Sequence, residues 1–218
     1  RELTLMLLVD VSLSQSFGTE TRFKRELATE LAAVLAFLAT KNNDKVGLIL
    51  FSDQIESYIP PQKGRAHIWR IIRTVLTHET KGKGTDLNLA LEYLSRVCTK
   101  KSMAFLISDF QAKSYLRALN LNGRRHSLIG ALVEDPREKE LPECGVLEFF
   151  DPEKDDYRVL DTGSKMLRDE YKKMFKEQRK KLADNFKRAR IDLFSLSTEG
   201  TVVRPLIQYL RQRERRLG

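Results

Sequence analysis

Continuous apolar runs alternate along the chain with segments in which apolar residues recur every three or four positions. Leu3–Val9, Val46–Phe51 and Ala104–Ile107 are such runs, which indicate strands covered on both faces. The apolar residues from Leu27 to Leu38 recur at helical spacing, and they predict an amphipathic helix that extends beyond them to about five turns in all. The alternation predicts an α/β, doubly wound, Rossmann-like fold with a mostly parallel central sheet and helices on both faces.

The remaining apolar segments continue this pattern. Ile55–Ile59 follows a tight turn and predicts one antiparallel edge strand that ends at Pro60 and Pro61. We expect two short strands, near residues 146–150 and 157–160, to extend the edge of the sheet. The other predicted elements are the helices Ile68–Leu76, Leu87–Val97, Tyr115–Leu121 and Val203–Arg215, the strands Leu128–Val133 and Asp192–Leu196, and a long helix that Ser164 caps and that runs to Arg190. We expect this long helix to pack inward with Leu167, Tyr171, Met174, Phe175, Leu182 and Phe186.

A chain of 218 residues fits one domain, over residues 1–218. We expect this domain to be the C-terminal part of a longer protein, because the chain opens at Arg1 without an initiator methionine. No apolar run reaches the roughly 18 to 20 residues of a membrane helix, and no signal core is visible, so we expect no membrane span and a cytoplasmic location. The spacing of Cys98 and Cys144 supports neither a disulfide scaffold nor a zinc site.

The formal net charge of +9 is concentrated near the C-terminus. Residues 165–218 hold 16 Lys and Arg against 7 Asp and Glu, whereas residues 1–164 hold 23 of each. A basic region is a feature of nucleic-acid-binding proteins, but no aromatic platform or known nucleic-acid motif accompanies this one. We favour the solvated faces of long helices and expect no nucleic-acid partner. Nucleic-acid binding through the basic C-terminal helices is kept as an alternative.

Oxygen-bearing side chains stand at two predicted strand ends and in a glycine-rich loop. Asp10, Ser12 and Ser14 leave the first strand at alternate positions, Asp109 follows a later strand, and Thr85 leaves the loop. In doubly wound sheets, ligands bind outside the carboxyl ends of the strands where the strand order reverses. If the first strand neighbours the strand before Asp109, these oxygens meet there. One or two carboxylates with further oxygen ligands suit Mg²⁺, and we expect that Mn²⁺ or Ca²⁺ can substitute.

Each of these residues also has a structural alternative: Asp10 and Asp109 as turn caps, Ser12 and Ser14 as partners of the loop backbone, Thr85 as a helix N-cap and Asp86 in the first helical turn. We favour the metal site because three separate loops each supply the residue type that it needs. Uncharged hydroxyl ligands leave a bound dication strongly electrophilic. A carboxylate from a partner protein can then complete its coordination.

Enzymatic alternatives find less support in the sequence. The loop before Thr85 lacks the full phosphate-loop pattern, and no G-x-G-x-x-G follows the first strand, so nucleotide binding is not expected. A magnesium-dependent phosphoryl-transfer enzyme or nuclease is an alternative in which Asp10, Asp86 and Asp109 hold the metal. Such enzymes need a group that activates a nucleophile, and no candidate base stands beside these residues. We therefore expect a protein that is not an enzyme.

The pattern D-x-S-x-S at residues 10–14, with Thr85 and Asp109, resembles the metal-ion-dependent adhesion site of the von Willebrand factor A domain. The similarity extends over nearly the whole chain. It is carried by RELTLMLLVDVS, NDKVGLILFSD, GKGTDLNLALEYL, AFLISDF and VEDPREKELP, and by FG at residues 17–18. Together these segments resemble the bacterial family of unknown function fifty-eight, which accompanies MoxR-type AAA+ ATPases.

This resemblance implies a von Willebrand factor A fold and a role for each site residue. Ser12, Ser14 and Thr85 would be direct or near-direct metal ligands, Asp10 and Asp109 would bind directly or through water, and Asp86 would support the site. It also implies an interaction module that binds an Asp or Glu of a MoxR-type AAA+ ATPase or its client, in protein assembly or maturation. Leu13 and Gln15 depart from the residues common in the family.

Overall fold

The computed structural model describes residues 3–16, 18–19, 22–112, 114–151 and 156–217. Arg1 and Phe17, which belong to the sequence pattern above, lie outside these ranges. In chain order the elements are β1 (Thr4–Asp10), β2 (Gly18–Thr19), β3 (Arg22–Phe23), α1 (Lys24–Lys41), β4 (Lys45–Phe51), β5 (Ile55–Gln62), α2 (Arg65–Thr77), α3 (Leu87–Val97), β6 (Met103–Ser108), α4 (Leu116–Arg125), β7 (Ser127–Glu134), β8 (Val146–Asp151), β9 (Asp156–Asp161), α5 (Lys165–Ala189), β10 (Asp192–Ser197) and α6 (Val203–Leu217). Two short 3-10 helices add Leu13–Ser16 and Pro136–Lys139.

Six strands form the central sheet in the order β10-β7-β6-β1-β4-β5. All neighbouring pairs are parallel except β4 and β5, which pair antiparallel at one edge. The predicted fold class, a mostly parallel sheet with one antiparallel edge strand, is confirmed. Along the chain, β4 and β5 are added on one side of β1, and β6, β7 and β10 are then added on its other side. The strand order therefore reverses between β1 and β6.

The sheet is buried on both faces, which explains the continuous apolar runs. Leu5, Leu7 and Val9 of β1 pack with α1, α2 and α6, whereas Met6 and Leu8 point to the opposite face and pack with α3, α4 and α5. Successive side chains of a strand point to opposite faces, so a strand between two helical layers needs apolar residues at every position. Strand β1 is therefore packed between two helical layers and is buried up to its last residue, Asp10.

Two predictions about strands are wrong in detail. Strand β5 does not end at Pro60 but continues through both prolines to Gln62, which pairs with Val46. It is an edge strand, and prolines are tolerated where one side of a strand needs no hydrogen-bond donor. Strands β8 and β9 do not extend the central sheet but pair with each other in a separate two-stranded sheet. Strand β10 takes the position beside β7.

The long helix α5 is less buried than its apolar stripe predicted. Ser164 caps it as expected, accepting a hydrogen bond from the Leu167 backbone N–H, and Arg190 ends it in a left-handed conformation. Of the six residues expected to face inward, Leu182 and Phe186 are buried, and Met174 is half-exposed. Leu182 and Phe186 belong to the core cluster on one face of the sheet. Both lie in the C-terminal half of α5, and no residue of its N-terminal half is part of that cluster.

Candidate metal centre

The sequence-predicted oxygen donors lie where the strand order reverses. Val9 of β1 pairs with Ile107 of β6, so the following residues, Asp10 and Ser108, leave the sheet side by side. Asp109 comes next in the chain and is fully buried, like Asp10. The adjacency that the site requires is therefore present, at the point where ligands bind in doubly wound sheets.

Three hydroxyl groups form a short chain at this edge. The Thr85 hydroxyl donates a hydrogen bond to the Ser12 Oγ at 2.7 Å, and the Oγ atoms of Ser12 and Ser14 lie 3.0 Å apart. Ser14 belongs to the 3-10 helix that follows β1 in the chain. Residues 73 positions apart in sequence are thus in direct hydrogen-bond contact.

Asp10 is held at both carboxylate oxygens. Its Oδ1 accepts a hydrogen bond from the Ser12 backbone N–H at 3.0 Å, and its Oδ2 accepts one from the Ser108 hydroxyl at 2.6 Å. Burial and the nearby negative charge of Asp109 raise the pKa of Asp10 to about 7, although the hydrogen bonds from Ser108 and Ser12 act to lower it. The two buried carboxylates therefore repel each other, and a cation between them would relieve this repulsion.

Asp109 has a buried cation as its neighbour. The Lys24 ammonium donates hydrogen bonds to Asp109 Oδ2 and Glu138 Oε1, each at 2.7 Å, and the Gln111 backbone N–H donates to Asp109 Oδ1 at 3.1 Å. Burial alone would lower the pKa of Lys24, but the two carboxylates raise it above its ordinary value. Lys24 is therefore charged, and both oxygens of Asp109 have donors from the protein.

Sequence reasoning missed Ser108 and Lys24. Ser108 directly precedes Asp109, and a polar residue at the end of an apolar run was a visible signal for it. Lys24 had a subtler signal, since a lysine at the first position of a helix opposes the helix dipole and calls for compensation. Its carboxylate partners, however, are 85 and 114 residues away in sequence.

The loop that carries Thr85 is anchored on the β4–β5 turn and on the start of β5. The buried Glu56 carboxylate accepts hydrogen bonds from the Ser52 hydroxyl and the Gly82 backbone N–H, each at 2.7 Å, and from the Lys81 backbone N–H. Burial acts to raise the pKa of Glu56, but these donors lower it to about 2. Glu56, which sequence reasoning also missed, thus fixes the approach of the loop to the sheet.

Asp86 is a helix cap in this structure. Its Oδ1 accepts a hydrogen bond from the Leu89 backbone N–H, and its own backbone N–H donates to the Ser52 carbonyl oxygen. The N-cap of α3 is therefore Asp86 and not Thr85, whose hydroxyl is directed to Ser12 instead. This position suits the supporting role expected for Asp86, because it fixes the residue next to Thr85.

The donor set fits a hard divalent cation. Two buried carboxylates and three hydroxyls supply the oxygen types that Mg²⁺ accepts. The side-chain amide of Gln15, in the same loop, is fully buried and its polar atoms have no hydrogen-bond partner in the described part of the chain. Within that part, no three or more side chains of His, Cys, Asp or Glu form a metal cluster, so an ion here depends on the hydroxyl oxygens.

The histidines are engaged elsewhere. His67 contacts the Val46 carbonyl oxygen, His78 pairs with Glu56, and His126 contacts Ser102 at the opposite end of β6. The structure therefore assigns each histidine to a structural contact outside the Asp10 and Asp109 pair. This arrangement gives no support to the enzymatic alternative, which needs a group to activate a nucleophile.

Solved structures share this fold at low sequence identity. The conserved hypothetical protein BatB from Bacteroides thetaiotaomicron is 15% identical with a TM-score of 0.53, and the alignment covers 86% of this chain and 98% of BatB. An aerotolerance-related membrane protein from Bacteroides fragilis is 17% identical with a TM-score of 0.54, covering 78% of this chain and 87% of that protein. At such identities the likeness shows the fold.

The second of these neighbours bears on location. Because that protein is described as a membrane protein, the cytoplasmic location predicted from the sequence is wrong. Among the helices of the described residues, none combines the length and apolar character that crossing a bilayer requires.

Sequence comparison identifies the family. An uncharacterized protein of Mycobacterium tuberculosis is 30% identical over 218 residues, which cover 99% of this chain and 68% of that protein. The family described as "Protein of unknown function DUF58" matches residues 1–181. The match includes every residue of the candidate metal centre, from Asp10 to Asp109. The chain therefore belongs to the DUF58 family of proteins of unknown function.

Proposed function

We propose that this protein is a non-enzymatic interaction module that binds Mg²⁺ at the β1–β6 edge and uses the ion to capture a carboxylate of a partner protein. The observation that carries the proposal is the Thr85–Ser12–Ser14 hydroxyl chain beside two buried aspartates at the strand-order reversal. The local structure of each loop does not explain why three loops direct oxygen atoms to the same place. A ligand bound by all three loops would explain it.

The residues divide into two kinds of donor. Ser12, Ser14 and Thr85 offer uncharged oxygens, whereas Asp10 and Asp109 offer carboxylates that the fold already buries. When bound, the ion supplies an electrophilic centre that accepts an Asp or Glu side chain from outside. Three of the five donors are uncharged, and one of the two carboxylates, Asp109, already pairs with the Lys24 ammonium. The protein therefore neutralises the ion incompletely and leaves it attractive to an acidic partner. Mn²⁺ accepts the same ligand types and is a suitable probe.

Calorimetric titration with Mg²⁺ and Mn²⁺ tests the metal site. We expect the unaltered protein to bind one ion, and the double variant Ser12→Ala with Ser14→Ala to lose at least about tenfold in affinity while it keeps its fold. The matched control is Thr40→Ala with Thr74→Ala, which removes two hydroxyls that donate to the backbone within α1 and α2. Equal affinity in the site variant and the control would contradict the proposal.

Water-proton relaxation of the Mn²⁺-loaded protein tests carboxylate capture. A carboxylate that enters the coordination shell displaces bound water, so acetate, which represents an Asp or Glu side chain, is expected to lower the relaxation enhancement. Acetamide has nearly the same shape without the charge and is expected to have no effect. If the two compounds act alike, the ion does not select carboxylates, and the interaction part of the proposal fails.

On the family resemblance we further propose that the partner is a MoxR-type AAA+ ATPase or its client, in protein assembly or maturation. Co-purification of this chain with a MoxR-type ATPase of the same organism is expected in Mg²⁺ and lost in excess chelator. The Ser12 and Ser14 double variant is expected to co-purify poorly in both conditions. Hydrolysis of a phosphoester or nucleic acid that Asp10→Ala abolishes would instead favour the enzymatic alternative.

A further inference from the structure

The metal edge contains a cation of the protein's own. Lys24 is fully buried, and its ammonium lies 2.7 Å from Asp109, one of the five proposed metal ligands. Burying a charged ammonium is unfavourable unless it is paired and hydrogen-bonded. Asp109 and Glu138 provide the pairing here, so Lys24 and the proposed ligand depend on each other.

The position of Lys24 in its helix makes a local explanation insufficient. It is the first residue of α1, where the helix dipole favours an acidic side chain and disfavours a cation. The N-cap residue, Phe23, contributes no side-chain hydrogen bond. A buried lysine at this place therefore weakens the helix start, and the two carboxylates that accept hydrogen bonds from its ammonium belong to other elements.

The ammonium also links the edge to a second group of charges. Glu138 belongs to the 3-10 helix after β7, and it lies 4.0 Å from the Arg179 guanidinium of α5. Arg179 pairs with Glu134 at 2.9 Å and donates a hydrogen bond to the Asp109 carbonyl oxygen at 3.1 Å. A continuous network of charged groups thus runs from Asp109 to the surface elements that follow β7.

We propose that Lys24 is a tethered counter-ion that competes with the divalent cation for Asp109, and that Glu138 sets the strength of this competition by sharing the Lys24 charge. This inference rests on the proposed function, because it concerns the regulation of the same site. Lys24 keeps the edge partly neutralised before metal arrives, and a dication has to bind against its positive charge. Displacement of the 3-10 helix by a partner would change the metal affinity through Glu138.

Two substitutions change the affinity in opposite directions. Lys24→Met removes a positive charge next to Asp109 and is expected to raise the affinity for Mn²⁺ and Mg²⁺ about tenfold or more, because charges a few ångströms apart in a buried site interact strongly. Glu138→Gln removes one of the two carboxylates that share the Lys24 charge and is expected to lower the affinity by a similar factor. The Gln amide oxygen can still accept the hydrogen bond from the Asp135 backbone N–H.

The matched control is Lys172→Met. Lys172 pairs with Glu140 on the surface, and its side chain is 45% exposed. The same substitution there is expected to leave the metal affinity within twofold of the unaltered protein. The double variant Lys24→Met with Glu138→Gln removes one charge of each sign, and its affinity is expected to return to nearly the original value.

The experiment is calorimetric titration of each variant with Mn²⁺, with the metal-induced rise in melting temperature as a second measurement. Lys24→Met removes the cation that pairs with Asp109, so its melting temperature without metal is expected to be lower than that of the unaltered protein. The rise in its melting temperature on adding metal is expected to be larger. If that variant does not fold, Glu138→Gln carries the test. Unchanged affinity in every folded variant of Lys24 and Glu138, or weaker binding in folded Lys24→Met, would overturn the inference.

The outcomes separate this inference from the proposed function. If the unaltered protein binds metal through Ser12 and Ser14 while the Lys24 and Glu138 variants behave like the control, only the role of Lys24 fails. If no variant binds metal, the proposed function fails as well. Binding by Lys24→Met alone would support the role of Lys24, because it would show that the ammonium excludes the ion from an otherwise competent site, but it would contradict metal binding by the unaltered protein.

Discussion

The Thr85 hydroxyl donates a 2.7 Å hydrogen bond to the Ser12 Oγ, joining a loop before α3 to the loop after β1. Neither residue needs the other for its own local structure, because Asp86 caps α3 and the Ser12 backbone N–H bonds to Asp10. Local structure therefore does not account for the contact, whereas the proposed metal site would.

Removing the Thr85 hydroxyl is expected to weaken metal binding more than it weakens the fold. Thr85→Val keeps the shape of the side chain, removes one hydrogen bond worth about 1 kcal/mol, and is expected to lower Mn²⁺ affinity at least about tenfold. Thr85→Ser keeps the hydroxyl and is expected to retain most of the affinity. Calorimetry and urea unfolding measure the two effects, and equal affinities for the Val and Ser variants would contradict a ligand role.

The Ser108 hydroxyl orients Asp10, so its loss is expected to act on the metal through that carboxylate. Ser108→Ala removes the 2.6 Å hydrogen bond to Asp10 Oδ2, and groups that orient a metal ligand typically contribute about 10- to 100-fold to affinity. Ser102→Ala is the control, because Ser102 is also buried but lies before β6, where it contacts His126. If both variants lose affinity equally, the effect reflects stability and not the site.

Two neighbouring glycines are expected to respond differently to alanine. A Cβ on Gly82 would lie 1.9 Å from Asp53 Oδ1 and 2.1 Å from Ser52 Oγ, whereas a Cβ on Gly84 would meet its nearest atom at 3.8 Å. Gly82→Ala is therefore expected to displace the loop that carries Thr85, at a cost of about 1–3 kcal/mol and with weaker metal binding.

Gly84→Ala is expected to leave both the free energy of unfolding and the Mn²⁺ affinity nearly unchanged. Melting curves with and without metal provide the comparison. If Gly82→Ala changes neither the free energy of unfolding nor the Mn²⁺ affinity, the close approach of the loop to the β4–β5 turn does not position the site.

The Glu56 carboxylate is expected to make the free energy of unfolding fall at low pH. Its pKa is about 2 in the folded protein against an ordinary 4.5, so its contribution is complete above pH 4.5 and is lost as the pH falls towards 2. With the side chain buried, this shift corresponds to about 3 kcal/mol at neutral pH.

Urea unfolding of the unaltered protein and Glu56→Gln at neutral pH and near pH 3 measures this contribution. The gap between the two proteins is expected to shrink by about half or more on acidification, because Glu56 becomes protonated in the unfolded chain first. A gap that stays constant with pH would show that Glu56 acts through packing or hydrogen-bond shape and not through its charge.

Local patterns predicted more of the fold than of the site. The continuous run before Asp10 and the helical spacing of α1 depend on neighbours in sequence, and both elements formed where expected. The apolar residues of α5 were predicted to be more buried than they are. Helical periodicity shows which residues share a face, but it does not show how far the sheet extends beneath that face. The β8–β9 hairpin was misplaced because strand pairing depends on which segment takes the position beside β7.

The sequence by itself determined the α/β class and the residue types at the strand ends, because periodicity, turn residues and the D-x-S-x-S pattern are local properties. Only the tertiary structure decided that Lys24 lies between Asp109 and Glu138 and that Glu56 anchors the loop of Thr85. These contacts join distant segments of the chain. Their electrostatic effects, including the raised pKa of Asp10, arise from burial and proximity, which exist only once the chain has folded.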